Sequence, residues 1–187
     1  MEIDCLKSKI ESYSPMLVSQ LPKTKLASVF VLFYEINNQM NLVLQVRSQK
    51  LKHHPGEIGF PGGSLEISDQ NLYQTATREV QEEIGVPFSD IELFGKLDPV
   101  LTSTQFLIHP YVGKIINKQK FSLSCEVQSM LFVPVSELNN QINWRNDYII
   151  NKNCIKNNKA FYYDGNIIFG ATAKIINNLL NLLDETV

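Results

Sequence analysis

The fold is decided by a stretch that begins Gly-Phe-Pro-Gly-Gly at residues 59–63 and ends Arg-Glu-Val-Gln-Glu-Glu-Ile-Gly-Val at residues 78–86. The first part reads as a short strand and a tight turn, and the second part as the end of a helix predicted over about residues 71–84. A glycine turn that leads into an acidic helix is hard to explain by folding alone. The arrangement predicts a platform for a divalent metal ion beside a phosphate chain.

The predicted helix has one apolar face and one acidic face. At about 100° per residue, the apolar arc consists of Tyr73, Ala76, Val80 and Ile84. The neighbouring arc carries three carboxylates at i, i+3 and i+4, namely Glu79, Glu82 and Glu83. Like charges at this spacing repel by roughly 0.2–0.5 kcal/mol per pair on an exposed helix. Oxygen ligands at this density suit Mg²⁺ or Mn²⁺, although a solvated acidic face is the simpler explanation for the glutamates taken alone.

The ends of this helix also carry local signals. Ser68 or Asp69 is the predicted N-cap, and Gly85 ends the helix where a left-handed residue is favoured. Arg78 lies four residues before Glu82 and is predicted to pair with it.

The rest of the chain alternates strand and helix signals around this stretch. Residues 2–13 predict a short amphipathic helix. Residues 27–34 and 41–47 predict a β-hairpin joined by an Asn-Asn turn. Further β segments are predicted at residues 91–97, 109–116, 121–133, 148–150 and 161–169, and a last helix from residue 170. The pattern predicts an α+β fold, an α/β/α sandwich with a mixed β-sheet flanked by helices, in a single domain of residues 1–187 with an N-terminal helical extension over residues 1–25.

Composition excludes several function classes. The chain has 187 residues, of which 44% are hydrophobic and 19% charged, with a formal net charge of −2. This balance argues against a broad nucleic-acid surface. No apolar run is long enough to cross a membrane and the start lacks a signal-peptide pattern, so a cytoplasmic protein is expected. The three cysteines, Cys5, Cys125 and Cys154, form no metal-binding pair and are predicted to be reduced, buried thiols.

The acidic helix and the turn before it resemble the Nudix box of the Nudix hydrolases, over about residues 63–86. The matching residues are Gly63, Arg78, Glu79, Val80, Glu82, Glu83, Gly85 and Val86. Asp69 stands where the family usually has Glu, and eight residues rather than seven separate it from Arg78. The resemblance implies the Nudix fold and hydrolysis of nucleoside diphosphates linked to another group.

The residues before the box narrow the resemblance to coenzyme A diphosphatases. Residues 47–63 carry the pattern Arg-Ser-x₃-Lys-x₃-Gly-x₃-Phe-Pro-Gly-Gly, with Lys52 where Arg is usual. That subfamily shows the same lengthening of the box by one residue. The implied substrate is coenzyme A or acyl-coenzyme A, cleaved to adenosine 3′,5′-bisphosphate and 4′-phosphopantetheine or its acyl form.

The resemblance also implies roles for single residues. Glu79 and Glu83 are the implied metal ligands for Mg²⁺ or Mn²⁺, with a backbone carbonyl near Gly63 as a further ligand. Glu82 is implied as a third ligand or as the group that positions water. Glu82 and Glu126 are the two candidates for the general base, and a surface strand residue is the alternative for Glu126.

Four further residues are candidates for substrate binding. Arg47 and Lys52 flank the entrance to the glycine turn, where cations can bind phosphate oxygens. Phe60 either stacks on adenine or packs in the core, with packing favoured. Arg78 is the fourth candidate.

Two other functions stay open. The first is a Nudix pyrophosphohydrolase of another nucleoside diphosphate derivative, such as ADP-ribose, a dinucleotide or an NTP. The second is a non-catalytic module that binds a nucleotide. Small-molecule partners are expected in each case, without nucleic acid or membrane, and family analogy suggests a homodimer.

Overall fold

The fold was examined in a computed structural model, which describes residues 3–16, 18, 23–151 and 154–184. No helix within these ranges is long and apolar enough to cross a membrane.

The main sheet is built around strand β1 (Lys25–Ile36). A two-residue turn at Asn37 and Asn38, both with positive φ, joins it to β2 (Gln39–Arg47), which runs antiparallel to it. On its other side, β1 runs parallel to β7 (Phe106–Ile115). The hairpin predicted from residues 27–47 is therefore confirmed, and the parallel pair makes the sheet mixed.

The remaining strands of this sheet extend its edges or fill its centre. The long ones are β5 (Ile91–Lys96), antiparallel to β7, and β8 (Val127–Pro134), antiparallel to β2. The short ones are β3 (Ile58–Gly59), β4 (Gly62–Ser64) and β6 (Val100–Leu101). A strand was predicted over residues 121–133, but only its second half is one, because residues 121–126 form a loop before β8.

The glycine turn lies in a fork between β1 and β2. The two strands pair from Leu32 to Ile36, and nearer the start of β1 they separate. There β3 pairs with Gln45 and Val46 of β2, and β4 pairs with residues 27–29 of β1. The N–H of Phe30 donates to the carbonyl of Pro61 at 2.9 Å and closes the fork. The turn is thus held by backbone hydrogen bonds on both sides.

Helices cover both faces of the sheet. Successive residues of β1 point to opposite faces. Phe30 and Leu32 pack under α2 (Leu72–Ile84), whereas Val31 and Phe33 pack in the cluster that contains α4 (Gly170–Asp184) and α1 (Ile3–Ser12). This arrangement confirms the predicted α+β sandwich.

A second, three-stranded sheet follows α3 (Val135–Leu138). Its antiparallel strands are β9 (Trp144–Asn151), β10 (Cys154–Tyr163) and β11 (Asn166–Ile168). Phe161 and Ile168 are fully buried and belong to the same core cluster as α1 and α4. The sequence predicted two β segments here but not a separate sheet.

Two local predictions were wrong. The N-cap of α2 is Asn71, whose side chain accepts the N–H of Gln74 at 3.0 Å, and neither Ser68 nor Asp69 takes this role. Cys5 and Cys125 are free but exposed rather than buried, and the side chain of Cys154 lies outside the described residues. Gly85 ends α2 as predicted, with a φ of 74°.

Candidate active site

The glycine turn brings its backbone directly against the carboxylates of α2. The N–H of Gly62 donates to Oε2 of Glu83 at 2.9 Å. A Cβ on Gly63 would collide with the carboxylate of Glu79, and a Cβ on Gly62 would collide with the carbonyl of Ser28. Only glycine permits this close approach, which explains the Gly-Gly pair in physical terms.

Glu83 is the most deeply buried carboxylate on α2, with 6% of its side chain exposed. Burial raises the pKa of this carboxyl to about 7, although hydrogen bonds from the Gly62 N–H and the Gln45 side chain act in the opposite direction. The nearest cation is Arg47, whose Nη1 lies 3.8 Å from Oε1. The protein therefore offsets the charge of Glu83 only in part.

Glu79 lies one turn earlier on the same side of α2 and is 16% exposed. Burial raises the pKa of Glu79, and Nη1 of Arg78, at 3.0 Å from Oε1, partly counteracts this. Glu79 and Glu83 are thus two neighbouring carboxylates that both lie against the glycine turn, each with one arginine nearby.

Arg78 is held by a network of acidic side chains. Its Nε and Nη2 donate to the two carboxylate oxygens of Asp69 at 3.0 and 3.1 Å. Its Nη1 lies 3.0 Å from Glu82 as well as from Glu79. The hydrogen bonds with Asp69 raise the pKa of Arg78 further above its usual range. The predicted Arg78–Glu82 pair is confirmed, and the guanidinium acts on the carboxylates rather than standing free for a phosphate.

Glu82 is the most exposed of the three carboxylates on α2. Its side chain is 59% exposed, and the hydrogen bond from Arg78 holds one of its oxygens. It is therefore accessible to solvent at the rim of the site.

Arg47 lies at the end of β2, opposite α2 across the fork. Its backbone is fixed by hydrogen bonds with Glu57 at 2.9 Å and Gly56 at 3.1 Å. A β-bulge in the pairing with β8 lies between Val46 and Arg47. The side chain is 29% exposed and reaches toward Glu83. Arg47 thus places a cation at the entrance of the glycine turn, as its sequence position predicted.

The loop before β8 makes backbone hydrogen bonds to the end of α2 and to the residue that follows β2. The N–H groups of Ser122 and Ser124 donate to the carbonyls of Ile84 and Glu83 at 3.1 and 3.0 Å. The carbonyl of Glu126 accepts the N–H of Ser48 at 2.8 Å. The loop brings the backbone of Glu126 next to the Arg47 edge of the site, with the Glu126 side chain exposed.

Lys52 and Phe60 differ in position from the other predicted residues. Lys52 is exposed in the loop between β2 and β3. Within the described part of the chain, Glu79 and Glu83 form their ion pairs with Arg78 and Arg47 and not with Lys52. Phe60 is 6% exposed in the hydrophobic core, so no face of its ring is available to a base. Packing is the role that the structure shows for Phe60, and the prediction that it binds substrate is wrong.

The donor chemistry fits a divalent cation, although the three predicted carboxylates do not meet at one point. Within the described ranges, no group of three or more His, Cys, Asp or Glu side chains is arranged to hold a metal ion. Glu79 and Glu83 face the glycine turn, whereas Glu82 turns toward Arg78. Burial raises the pKa of both Glu79 and Glu83, and a cation bound between them would favour their charged forms. Carboxylate and carbonyl oxygens are ligands that Mg²⁺ accepts, so these two residues and the turn fit such an ion.

Two site residues were missed by sequence reasoning. Asp69 was predicted only as a possible helix cap, yet its carboxylate, 1% exposed, accepts hydrogen bonds from Arg78 and orients it. Gln45 follows the apolar residues 42–44 of β2, and its side chain lowers the pKa of the neighbouring Glu83 as a hydrogen-bonding group. Gln45 could have been found from the sequence, because it is a polar residue next to a run of apolar residues. The pairing of Asp69 with Arg78 could not, because it depends on the path of the loop before α2.

The fold and the site together define a class of protein, an α+β sandwich that holds an acidic helix against a glycine turn. The chain belongs to the NUDIX domain family, whose model matches residues 24–152.

Two relatives are each named uncharacterized Nudix hydrolase NudL. The Citrobacter koseri protein is 40% identical over 97 residues, which make up 51% of this chain and 50% of the relative. The Yersinia pestis protein is 31% identical over 139 residues, or 74% of this chain and 70% of the relative. The matched region thus spans half the length of the first relative.

Solved structures share the fold at low sequence identity. A MutT/nudix family protein from Enterococcus faecalis has a TM-score of 0.61 at 14% identity, covering 91% of this chain and 66% of its own. The NUDIX domain of Shewanella oneidensis NrtR complexed with ADP ribose has a TM-score of 0.51 at 21% identity, covering 70% of this chain and 84% of its own. A C. elegans Ap4A hydrolase binary complex has a TM-score of 0.52 at 17% identity, covering 62% of this chain and 83% of its own. These likenesses support the fold alone.

Proposed function

We propose that this chain is a metal-dependent hydrolase that cleaves the diphosphate of coenzyme A or acyl-coenzyme A. The products are adenosine 3′,5′-bisphosphate and 4′-phosphopantetheine or its acyl form. One observation carries the proposal: the carboxylates of Glu79 and Glu83 lie against the Gly62-Gly63 turn, where burial raises the pKa of both, and Arg47 on β2 lies 3.8 Å from Glu83.

Glu79, Glu83 and the turn at Gly63 would hold Mg²⁺ or Mn²⁺, and Glu82 is the candidate third carboxylate. When bound, the cation withdraws charge from the diphosphate oxygens and makes water more acidic. Arg78 orients Glu79 and Glu82 through its Nη1, which lies 3.0 Å from each. Asp69 holds the guanidinium of Arg78 from the other side.

Arg47 binds the phosphate chain in this proposal. Its guanidinium presents several N–H donors in a planar fork, which matches the geometry of phosphate oxygens. Its partial exposure of 29% leaves it open to substrate, and its backbone hydrogen bonds keep the strand end rigid. Lys52, in the exposed loop that follows, is a second cation for the negatively charged substrate.

Hydrolysis requires one proton acceptor. The oxygen of water bonds to one phosphorus, the bridging P–O bond breaks, and the bridging oxygen leaves on the other phosphate. Glu126 takes the proton of the attacking water, and Glu82 is the alternative acceptor. The position of Glu126 supports this role, because its backbone hydrogen-bonds to Ser48, next to Arg47.

The choice of coenzyme A rests on residues 47–63. Arg47, Gly56 and Phe60-Pro61-Gly62-Gly63 resemble the segment that precedes the box in coenzyme A diphosphatases. Other nucleoside diphosphate derivatives are alternatives with a structural basis, because two neighbours in fold are an ADP-ribose complex and an Ap4A hydrolase. A cytoplasmic location and a homodimer remain parts of the same proposal.

A product assay tests the proposal. The purified protein is incubated with Mg²⁺ or Mn²⁺ and, separately, coenzyme A, acyl-coenzyme A, ADP-ribose, Ap4A and NTPs, and products are identified by mass spectrometry. We expect the two phosphate monoesters from coenzyme A, no reaction in the presence of EDTA, and loss of activity in Glu79→Gln.

The matched control is Glu35→Gln. Glu35 is an acid at the far end of β1 that pairs with Lys114 at 3.6 Å, away from the glycine turn, and this variant should keep full activity. Rapid cleavage of ADP-ribose or Ap4A with coenzyme A left intact would replace the substrate but keep the enzyme class. Binding without cleavage of any compound would indicate a nucleotide-binding module.

A further inference from the structure

Strand β2 carries a buried polar residue, Gln45, on the face that meets the acidic helix. Leu42 and Leu44 pack in the cluster that contains α4, and Val43 packs under α2. Because side chains alternate along a strand, Gln45 follows Val43 on the face that meets α2. Gln45 is only 1% exposed. A carboxamide at such a position costs free energy unless its hydrogen bonds are satisfied.

Gln45 meets Glu83 on one side only. The Gln45 side chain lies beside the Glu83 carboxylate, and as a hydrogen-bonding group it lowers the pKa of Glu83. Oε1 of Gln45 has no hydrogen-bond partner among the residues that the structure describes, and the only other buried side-chain atom there in this condition is Nε of Arg47. An unsatisfied buried polar group costs about 1–3 kcal/mol. The two unsatisfied atoms lie two residues apart on the same face of β2, beside the same carboxylate.

The position of Gln45 is fixed more firmly than that of an ordinary strand residue. Its backbone pairs with Gly59 of β3 on one edge and with Met130 of β8 on the other. Glu83 is held at the same time by the N–H of Gly62 at 2.9 Å, from the opposite wall of the fork. The N–H of Gly62 and the side chain of Gln45 therefore approach one buried carboxylate from two different strands.

We propose that Gln45 is a positioning residue for the metal site: its amide orients the Glu83 carboxylate so that the remaining lone pairs face Glu79 and the glycine turn. The inference deepens the proposed function and rests on its claim that Glu79 and Glu83 hold a divalent cation. A neutral donor suits this task, because a cation in the same place would compete with the metal for the carboxylate. Outer partners of this kind typically change metal affinity by about 10–100-fold when they are removed.

The competing explanation is simple packing, in which the volume of Gln45 matters and its amide does not. The two explanations differ in what Gln45→Leu does. Leucine fills the position without a donor and removes the unsatisfied oxygen, so under either explanation the fold should keep or gain thermal stability. Only the positioning role predicts weaker metal binding.

The chain offers a matched control in Asn41→Leu. Asn41 is another buried carboxamide on the same face of β2, four residues away and 5% exposed. Its Nδ2 donates locally to the carbonyl of Gln39 at 2.7 Å. Replacing it tests the removal of a buried amide from this strand without touching Glu83.

The experiment measures Mn²⁺ binding to the substrate-free protein by the electron paramagnetic resonance signal of free Mn²⁺. We expect Gln45→Leu to raise the Kd by at least about tenfold, with unchanged affinity in Asn41→Leu. Gln45→Met, which is unbranched and similar in length, should give the same loss and replaces the leucine variant if that variant does not fold. Wild-type affinity in the Gln45 variants, equal weakening in Asn41→Leu, or no Mn²⁺ binding by the wild type overturns the inference.

Failure of this inference is distinguishable from failure of the proposed function. Mn²⁺ binding that depends on Gln45, in a protein that cleaves no diphosphate, supports the positioning role and overturns the hydrolase. Cleavage of coenzyme A by the wild type, together with normal Mn²⁺ binding by the Gln45 variants, supports the hydrolase and overturns the positioning role.

Discussion

Asp69 and Glu83 are two carboxylates that both have little exposed side-chain surface, and their pKa values are shifted in opposite directions. Their side chains are 1% and 6% exposed. Hydrogen bonds from Arg78 lower the pKa of Asp69 to about 2, whereas burial raises the pKa of Glu83 to about 7. Burial alone therefore does not decide the behaviour of an acid in this protein.

The partners explain the difference. Asp69 receives both arms of a guanidinium, the hydroxyl of Thr75 at 2.9 Å and the N–H of Glu66 at 3.0 Å. Glu83 is approached by two neutral groups, the N–H of Gly62 and the side chain of Gln45, and its nearest cation is 3.8 Å away. The first carboxylate is fully compensated and stabilises the loop before α2. The second is left available for a ligand that brings positive charge, which is how functional carboxylates commonly differ from structural ones.

The largest expected effect is on activity and comes from Glu83→Gln. The amide keeps the shape of the side chain but removes the charge that would bind the cation. We expect kcat to fall by at least about 1,000-fold, or about 4 kcal/mol in activation free energy, while the melting temperature is unchanged or higher. Steady-state kinetics and thermal unfolding of the same preparation check both parts. An active Glu83→Gln would remove this residue from the mechanism.

Asp69→Asn should show the opposite pattern, a loss of stability. The substitution leaves Arg78 without its bidentate partner, and hydrogen bonds to charged groups contribute about 1.5–3 kcal/mol. Arg78 is 20% exposed and keeps Glu79 and Glu82 at 3.0 Å, so the expected loss lies near the lower end of that range. Urea unfolding monitored by circular dichroism measures it, with Glu35→Gln as the control for removal of an acid. Unchanged stability would show that the Asp69–Arg78 pair is dispensable.

The pH dependence of stability should have opposite signs at the two sites. The folded-state pKa of Glu83, about 7, lies above the ordinary value of about 4.3, so its stabilising contribution is present below about pH 4 and is lost as the pH rises toward 7. At about 1.4 kcal/mol per pKa unit, the expected loss is about 3–4 kcal/mol in metal-free protein. For Asp69, whose pKa is depressed to about 2, the contribution is present above about pH 4 and is lost as the pH falls toward 2.

The predicted pH dependence at Glu83 is tested by measuring the unfolding free energies of the wild type and Glu83→Gln. The two proteins are compared at several pH values with EDTA present. The difference between the two proteins should grow from pH 4 to 7 and shrink when Mg²⁺ is added. A difference that stays constant with pH would mean that the charge of Glu83 is compensated after all.

Glu126→Gln gives the smallest expected effect and extends the comparison to an exposed carboxylate. If Glu126 accepts the proton from water, turnover should fall by more than about tenfold while Mn²⁺ affinity is kept. Steady-state rates and direct Mn²⁺ titration separate these two quantities. Turnover at the wild-type rate would leave Glu82 as the candidate base.

Sequence reasoning succeeded where the signal is local and periodic. The apolar arc of α2, its end at Gly85, the hairpin of β1 and β2 and the last helix all follow from residue spacing. The pairing of Arg78 with Glu82 was predictable for the same reason, because residues four apart are neighbours on a helix.

The failures all involve contacts between distant parts of the chain. Asp69 is a good capping residue by type, but Arg78 captures its side chain and Asn71 caps the helix instead. The fork that holds Gly62 and Gly63 depends on strands of two or three residues, which are too short to show a period. The role of Gln45 required knowing that Glu83 lies across from it. Residue types therefore predicted the chemistry of the site, and tertiary structure decided which acid performs which role.

The most direct test of the central claim is calorimetric titration of Mn²⁺ into wild type, Glu83→Gln and Asp69→Asn at mildly alkaline pH, below the melting temperature of each. The account predicts binding by the wild type, affinity reduced by at least about 100-fold in Glu83→Gln, and only a minor change in folded Asp69→Asn. Mn²⁺ binding by Glu83→Gln with wild-type affinity would contradict it.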